Sequence, residues 1–154
     1  MKLNQNENSN STSSKTEKNK VIVSACLAGL ECRFDYGSNE RAHIKSMVEQ
    51  GLAVPVCPEQ LGGLTTPRPA AEQQGDQVFT KAGANVTSQF QKGAEQCYKV
   101  AEMIGAKEAY LKSRSPSCGC GTIYDGTFTK TLKSGDGVLT QLLKNKGIKV
   151  HSVD

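Results

Sequence analysis

Three cysteines stand where apolar runs give way to loops. Cys26 closes Val21-Ile22-Val23-Ser24-Ala25, and Cys57 closes Leu52-Ala53-Val54-Pro55-Val56. Cys118 lies in Ser113-Arg114-Ser115-Pro116-Ser117-Cys118-Gly119, just past Ala109-Tyr110-Leu111-Lys112. If these runs are parallel strands, their carboxyl ends open on one crevice, the place where open α/β sheets bind ligands. Thiolates remote in sequence then meet in space, and three thiolates without a fourth describe a metal centre with one open position. Thiolate-only ligation suits an iron–sulfur cluster or zinc. No CxxC pair is present, which leaves a zinc ribbon without support. Taken alone, each cysteine reads better as a small buried hydrophobe than as a ligand. The shared site rests on all three holding equivalent positions.

The neighbours of these cysteines offer further chemistry, each beside a plainer alternative. Glu59 follows Cys57-Pro58. Pro58 fixes its own backbone angle, so the chain leaves the strand stiffly and Glu59 stays near the thiolate. It is a candidate general base beside a metal, or a solvated loop glutamate. Ser115 and Ser117 flank Pro116; one hydroxyl faces the crevice, or both serve the loop backbone. Arg33, Arg68 and Arg114 suit a polar substrate edge as well as a surface. Cys97 falls on an apolar helical stripe and reads as packing. Cys120, two residues after Cys118, is poorly spaced to ligate alongside it and reads as a nearby redox-sensitive thiol. Cys32 lines or fills the first loop. His43 belongs to a helix surface and His151 to the last strand, so neither reads as a ligand.

The elements that must position these groups follow one pattern. A strand over Val21–Cys26 leads through a long loop to a helix from about Asn39 to Gln50, with Ile44, Met47 and Val48 on one face. Gly51 ends it, and a strand over Leu52–Cys57 begins. The Gly-, Thr- and Pro-rich segment Pro58–Pro69 reads as a functional loop. A short β excursion at Gln77–Lys81 precedes a helix capped by Thr87 and running to Ile104, with Phe90, Ala94, Cys97, Ala101 and Ile104 along one stripe. Gly105 ends this helix before a strand over Lys107–Leu111. A β turn is expected at Ile123–Thr129, then a helix over Asp136–Lys146, Gly147 and a strand over Ile148–Val153. Helix, glycine and apolar strand recur three times. The expected fold is therefore a three-layer, Rossmann-like α/β domain over residues 21–154 with a small parallel sheet of about four strands.

Composition narrows the function classes. The 154 residues suffice for one domain with a real core. There is no tryptophan and only 5% aromatic residues, which does not favour a base-stacking nucleic-acid surface. The net charge of +4 is mild, and its lysines are scattered. No apolar run approaches membrane-spanning length. Residues 1–20 are rich in Asn, Ser, Thr, Lys and Glu and are expected to form a disordered tail rather than a secretory signal. Six cysteines in a chain without a signal imply a reducing cytoplasm rather than a disulfide framework.

The strings VSACLAGLECRFDYG, PVCPEQLGGLTTPRPAAE, GANVT with FQKGA, LKSRSPSCGCGTIYDGTF and GDGVLTQLLKNKGIKV occur in that order. Together they resemble the thiouracil desulfidase-like family of small bacterial iron–sulfur proteins, over Val21 to Val153. The resemblance implies a 4Fe-4S cluster held by Cys26 in SACL, Cys57 in PVCPE and Cys118 in SPSCG. It implies catalytic roles for Glu59 of CPE and Ser115 of SPSCG. The implied reaction removes sulfur from a thiolated pyrimidine such as 2-thiouracil, giving uracil and hydrogensulfide by hydrolysis. No net electron transfer occurs, so no redox partner is required. The first loop departs from the family pattern, reading RFDYG where RYDGG-like forms are usual. The rival readings are a cluster-bearing sensor without turnover, a structural zinc protein, and desulfuration of thiolated RNA bases.

Overall fold

A computed structural model describes residues 20–154; residues 1–19, nearly all of the expected tail, lie outside the described residues. Four strands form one parallel sheet in the order β2-β1-β5-β8: β1 is Val21–Ser24, β2 Ala53–Val56, β5 Glu108–Lys112 and β8 Lys149–Val153. Two antiparallel pairs are added at its carboxyl edge, β3 (Ala71–Gln74) with β4 (Gln77–Thr80) and β6 (Thr122–Tyr124) with β7 (Leu132–Ser134).

Strand alternation builds the layers. Val21 and Val23 of β1 face one side, where Ile44 of α1 (Ala42–Glu49) closes a cluster with Leu27 and Ala53. Ile22 faces the other side. There α3 (Thr87–Met103) and α4 (Val138–Asn145) present Ala94, Cys97, Ala101, Leu139 and Leu143. Each strand of a sheet covered on both faces is apolar on both sides, which explains the near-continuous VIV and AVPV runs.

The chain leaves β1 toward β2 on one side and later fills β5 and β8 on the other. The order reverses beside β1, and this switch point is where open α/β sheets bind ligands. All three loops that carry Cys26, Cys57 and Cys118 emerge there.

Several boundaries differ from those expected. β1 ends at Ser24, and Cys26 lies in a single 3-10 turn, Ala25–Ala28, ended by Gly29 at φ 98. The first helix starts at Ala42 rather than Asn39. Pro58–Leu61, expected as loop, forms the short helix α2, with Pro58 in the first turn where its missing N–H costs nothing. Thr87 is the first helical residue rather than the cap; its hydroxyl accepts from Val78 N instead.

Candidate functional site

A cavity of about 730 Å³ opens at the carboxyl ends of β1, β2 and β5, and Cys26, Cys57 and Cys118 all line it. Cys26 is brought there by the 3-10 turn, Cys57 by the end of β2, and Cys118 by the loop after β5. Glu59, Arg68, Ser115 and Ser117 share the wall. The rim is basic, with Arg33, Arg41, Lys112, Arg114 and Lys130.

Two backbone contacts fix the elements that carry these groups. α2 lies directly on α3 through Gly62 and Gly93: a Cβ on Gly93 would run into the Pro58 carbonyl, and one on Gly62 into that of Gln89. Glu59 is therefore held by main chain on main chain. The Ser115–Gly119 loop is stitched to the start of α4, where Val138 N donates to Pro116 O at 3.0 Å and Leu139 N to Ser117 O at 2.8 Å. Gln73 Nε2 also donates to Pro116 O at 2.9 Å, and Thr140 Oγ1 to Cys118 O at 2.9 Å.

The thiols differ in readiness to ionise. Cys26 is held down at about 6, chiefly by a hydrogen bond from Cys32 working against burial, with help from Asn39 and the nearby Lys112 and Arg33. Cys57 is held down at about 7, again chiefly by Cys32. Cys32 is itself buried, and serving both neighbours pushes its own thiol strongly upward. Cys118, 4% exposed, is pushed up to about 12 by burial. A thiolate at that position needs a cation beside it.

These positions fit a cluster better than a lone ion. Among the described residues, no three His, Cys, Asp or Glu side chains close on a single metal position. In a cubane cluster each cysteine binds its own iron, so the thiols ring a space instead of converging on a point. Four cysteines line this cavity, Cys26, Cys32, Cys57 and Cys118, so it offers the soft sulfur donors that iron–sulfur centres take.

Glu59 is the centre of a buried polar chain. Arg68 Nε donates to Glu59 Oε1 at 3.0 Å, with side-chain exposures of only 5% and 17%. The same guanidinium donates to Cys32 O at 2.8 Å, Thr65 O at 3.2 Å and Thr66 Oγ1 at 2.9 Å. Ser117 Oγ donates to Glu59 Oε2 at 3.0 Å and lies 3.0 Å from Ser115 Oγ.

The profile of the 2-thiouracil desulfurase family matches residues 21–154. The chain belongs to that family. It is 39% identical over 142 residues to YbbK, an uncharacterized protein of Bacillus subtilis (strain 168), covering 86% of this chain and 94% of that one. It also matches the solved structure of TudS (DUF523Vcz), a 4Fe-4S-dependent thiouracil desulfidase, with a TM-score of 0.84 and 44% identity over 88% of this chain and 91% of that one.

Cys26, Cys57, Cys118, Glu59 and Ser115 line one cavity. Cys97 is fully buried between sheet and helices, and Cys120 lies outside the main cavity, on a small cleft with Thr122 and Asp154. His43 is exposed on α1, and His151 stacks on Tyr110 and reaches Glu108, both away from the thiols. Arg33 and Arg114 do line the cavity, whereas Arg68 is no surface residue but the buried partner of Glu59. Sequence reasoning missed Asn39 and Ser24, which act to lower the Cys26 and Cys118 thiols against the effect of burial. Nothing in their local pattern distinguishes them from ordinary loop and strand-end polar residues.

Proposed function

We propose that this protein is an iron–sulfur desulfidase that hydrolyses the C=S bond of a thiolated pyrimidine such as 2-thiouracil, giving uracil and hydrogensulfide. The observation that carries the reading is the ring of Cys26, Cys57 and Cys118 around one cavity, with the Glu59 carboxylate on its wall. Those three thiolates would hold a 4Fe-4S cluster. Bound there, the cluster supplies a soft Lewis acid matched to a thiocarbonyl sulfur.

The protein's own groups do the rest. Glu59 acts as general base for the water that attacks the thiocarbonyl carbon. Arg68 holds that carboxylate in one orientation. Ser115, half-buried on the cavity wall, hydrogen-bonds the ring or the departing sulfur. Both hydrogens lost by water leave with sulfur, so no electrons are exchanged and no reductase is needed. The catalytic unit is the α/β domain at 21–154, with residues 1–20 as an appended tail. The substrate is a free small molecule, and a cytoplasmic setting is part of the same reading, supported by six cysteines in a chain read as binding a cluster. Among the described residues no helix is long and apolar enough to cross a membrane.

Anaerobic reconstitution with iron and sulfide, followed by incubation with 2-thiouracil, tests the reading. Stoichiometric uracil and sulfide are expected. A fully loaded protein that releases neither would instead support a cluster-bearing sensor.

A further inference from the structure

We propose that Phe128 and Glu72 form the seat of the pyrimidine ring, Phe128 giving it a flat apolar face and Glu72 an acceptor for a ring N–H. The proposal rests on the thiolated-pyrimidine reading of the cavity and specifies what holds the ring there.

The loop between β6 and β7 is shaped toward the cavity. Phe128 and Lys130 line it, whereas the alternating Thr127, Thr129 and Thr131 are exposed. Phe128 has a φ of 58 and Lys130 one of 60. A bulky residue takes this left-handed conformation only at a cost, and it persists where surrounding contacts impose it. Those contacts come from β3. Glu72 Oε1 accepts from Gly126 N at 3.0 Å and from Phe128 N at 3.2 Å, and Gln74 Nε2 donates to Gly126 O at 3.0 Å. A Cβ on Gly126 would lie 2.6 Å from Gln73 O, so the glycine lets the loop rest on the strand.

The core makes no use of the Phe128 ring. The residue is half-buried, yet it belongs to none of the apolar clusters among the described residues. Phe34, another aromatic of the cavity, is 41% exposed and carries the Arg33 guanidinium 5.7 Å from its ring centre. Among the described residues no cation or second aromatic ring sits against Phe128. A ring held in a strained conformation, outside the core and on a cavity wall, is placed for a flat ligand. Aromatic faces hold nucleobase rings by stacking whatever their substituents.

Glu72 supplies the directional contact. It is 9% exposed and lines the same cavity. Its Oε1 is taken by the two loop amides, and no group among the described residues donates to its Oε2. No fully buried side-chain oxygen among the described residues lacks a partner, so Oε2 is open to the cavity. A shielded carboxylate oxygen is stabilised by a donor. A 2-thiopyrimidine carries an N–H on each side of its thiocarbonyl carbon. Phe128 then sets the plane of the ring and Glu72 its orientation within that plane, and because Oε1 also holds Phe128, one side chain sets both.

The test uses the cluster-loaded protein with Phe128→Gly, Phe128→Tyr and Glu72→Gln. Glycine takes the positive φ without strain, tyrosine keeps the flat face, and glutamine keeps one oxygen for the loop amides while replacing the other by a donor. Iron content, the urea midpoint, kcat and KM for 2-thiouracil are measured, together with anaerobic calorimetric binding of uracil and of 1,3-dimethyluracil, which lacks both N–H donors. In Phe128→Gly, uracil affinity should fall and KM should rise, each by roughly 5- to 150-fold, as for loss of one aromatic–base stack, with iron and midpoint native. Phe128→Tyr should bind as the native protein does. Glu72→Gln should bind uracil roughly tenfold or more weakly, as for loss of a hydrogen bond to a charged group, and dimethyluracil no worse than native. Native uracil affinity in Phe128→Gly, loss of iron or a lower midpoint in that variant, or equal losses for the two ligands in Glu72→Gln would each overturn the proposal. Uracil binding that depends on Phe128 and Glu72 as expected, in a loaded native protein that releases no sulfide, would overturn the desulfidase reading and leave the ring seat standing.

Discussion

Replacing Arg68 with Met keeps most of its volume and strands the Glu59 carboxylate. The pair is well shielded, with Arg68 at 5% and Glu59 at 17% side-chain exposure. Removing one partner of a buried ion pair costs about 3–5 kcal/mol, because the remaining charge loses water without regaining a counter-charge. The lost guanidinium also leaves the Cys32 and Thr65 carbonyls without their donor, which places Arg68→Met in the upper part of that range. With a urea slope of about 2 kcal/mol per M, the unfolding midpoint should fall by roughly 2 M. The assay is urea unfolding followed by circular dichroism at matched iron content. In a Glu59→Gln background the same replacement should cost distinctly less, since no charge is stranded. A midpoint within roughly 0.3 M of native, equivalent to about 0.6 kcal/mol at that slope, would show that solvent already screens the pair and would refute Arg68 as the anchor of Glu59.

Other outcomes follow from the same geometry. Glu59→Gln keeps shape and removes the base, so iron content should stay native while turnover falls by roughly 10²–10⁴-fold, read from sulfide release. Cys97→Ala, fully buried on α3 away from the cavity, should retain its cluster and lose only packing, about 1 kcal/mol or slightly more by urea unfolding. Cys32→Ala removes the hydrogen bond that chiefly holds Cys26 at about 6 and Cys57 at about 7. Their titrations should move upward, so the thiolate fraction at neutral pH falls and iodoacetamide alkylation of the reduced, cluster-free protein slows there. An unchanged pH profile of alkylation would contradict that role for Cys32.

Much of the fold was legible because its signals are local. Apolar strands, amphipathic helices and the glycines at 51, 105 and 147, all at positive φ, follow from neighbours a few residues apart. Three strand-end cysteines then pointed to one cavity through topology alone. What was not legible depends on distant partners. β3 reads Ala-Glu-Gln-Gln, with no apolar alternation, because its inward residues are satisfied by polar bonds: Glu72 accepts from Gly126 N and Phe128 N, and Gln73 donates to Pro116 O and Asp136 O. The helix α2 is four residues long, too short for a period to register, and its stability comes from backbone contact with α3. A buried arginine such as Arg68 has the same local signature as a surface one; only its partners, nine and thirty-six residues away in Glu59 and Cys32, reveal it. The hydroxyl of Ser117 was visible as a residue but not as a bridge, since its acceptor lies 58 residues back in the chain.

The central claim is that Cys26, Cys57 and Cys118 alone hold the cluster, and iron and acid-labile sulfide content after anaerobic reconstitution of single Cys→Ala variants tests it most directly. Changing any of the three should lose iron and turnover together, because two thiolates hold a cluster poorly, whereas Cys32→Ala, Cys97→Ala and Cys120→Ala should load fully. A Cys118→Ala protein with native iron content, or a Cys32→Ala protein without iron, would contradict the assignment.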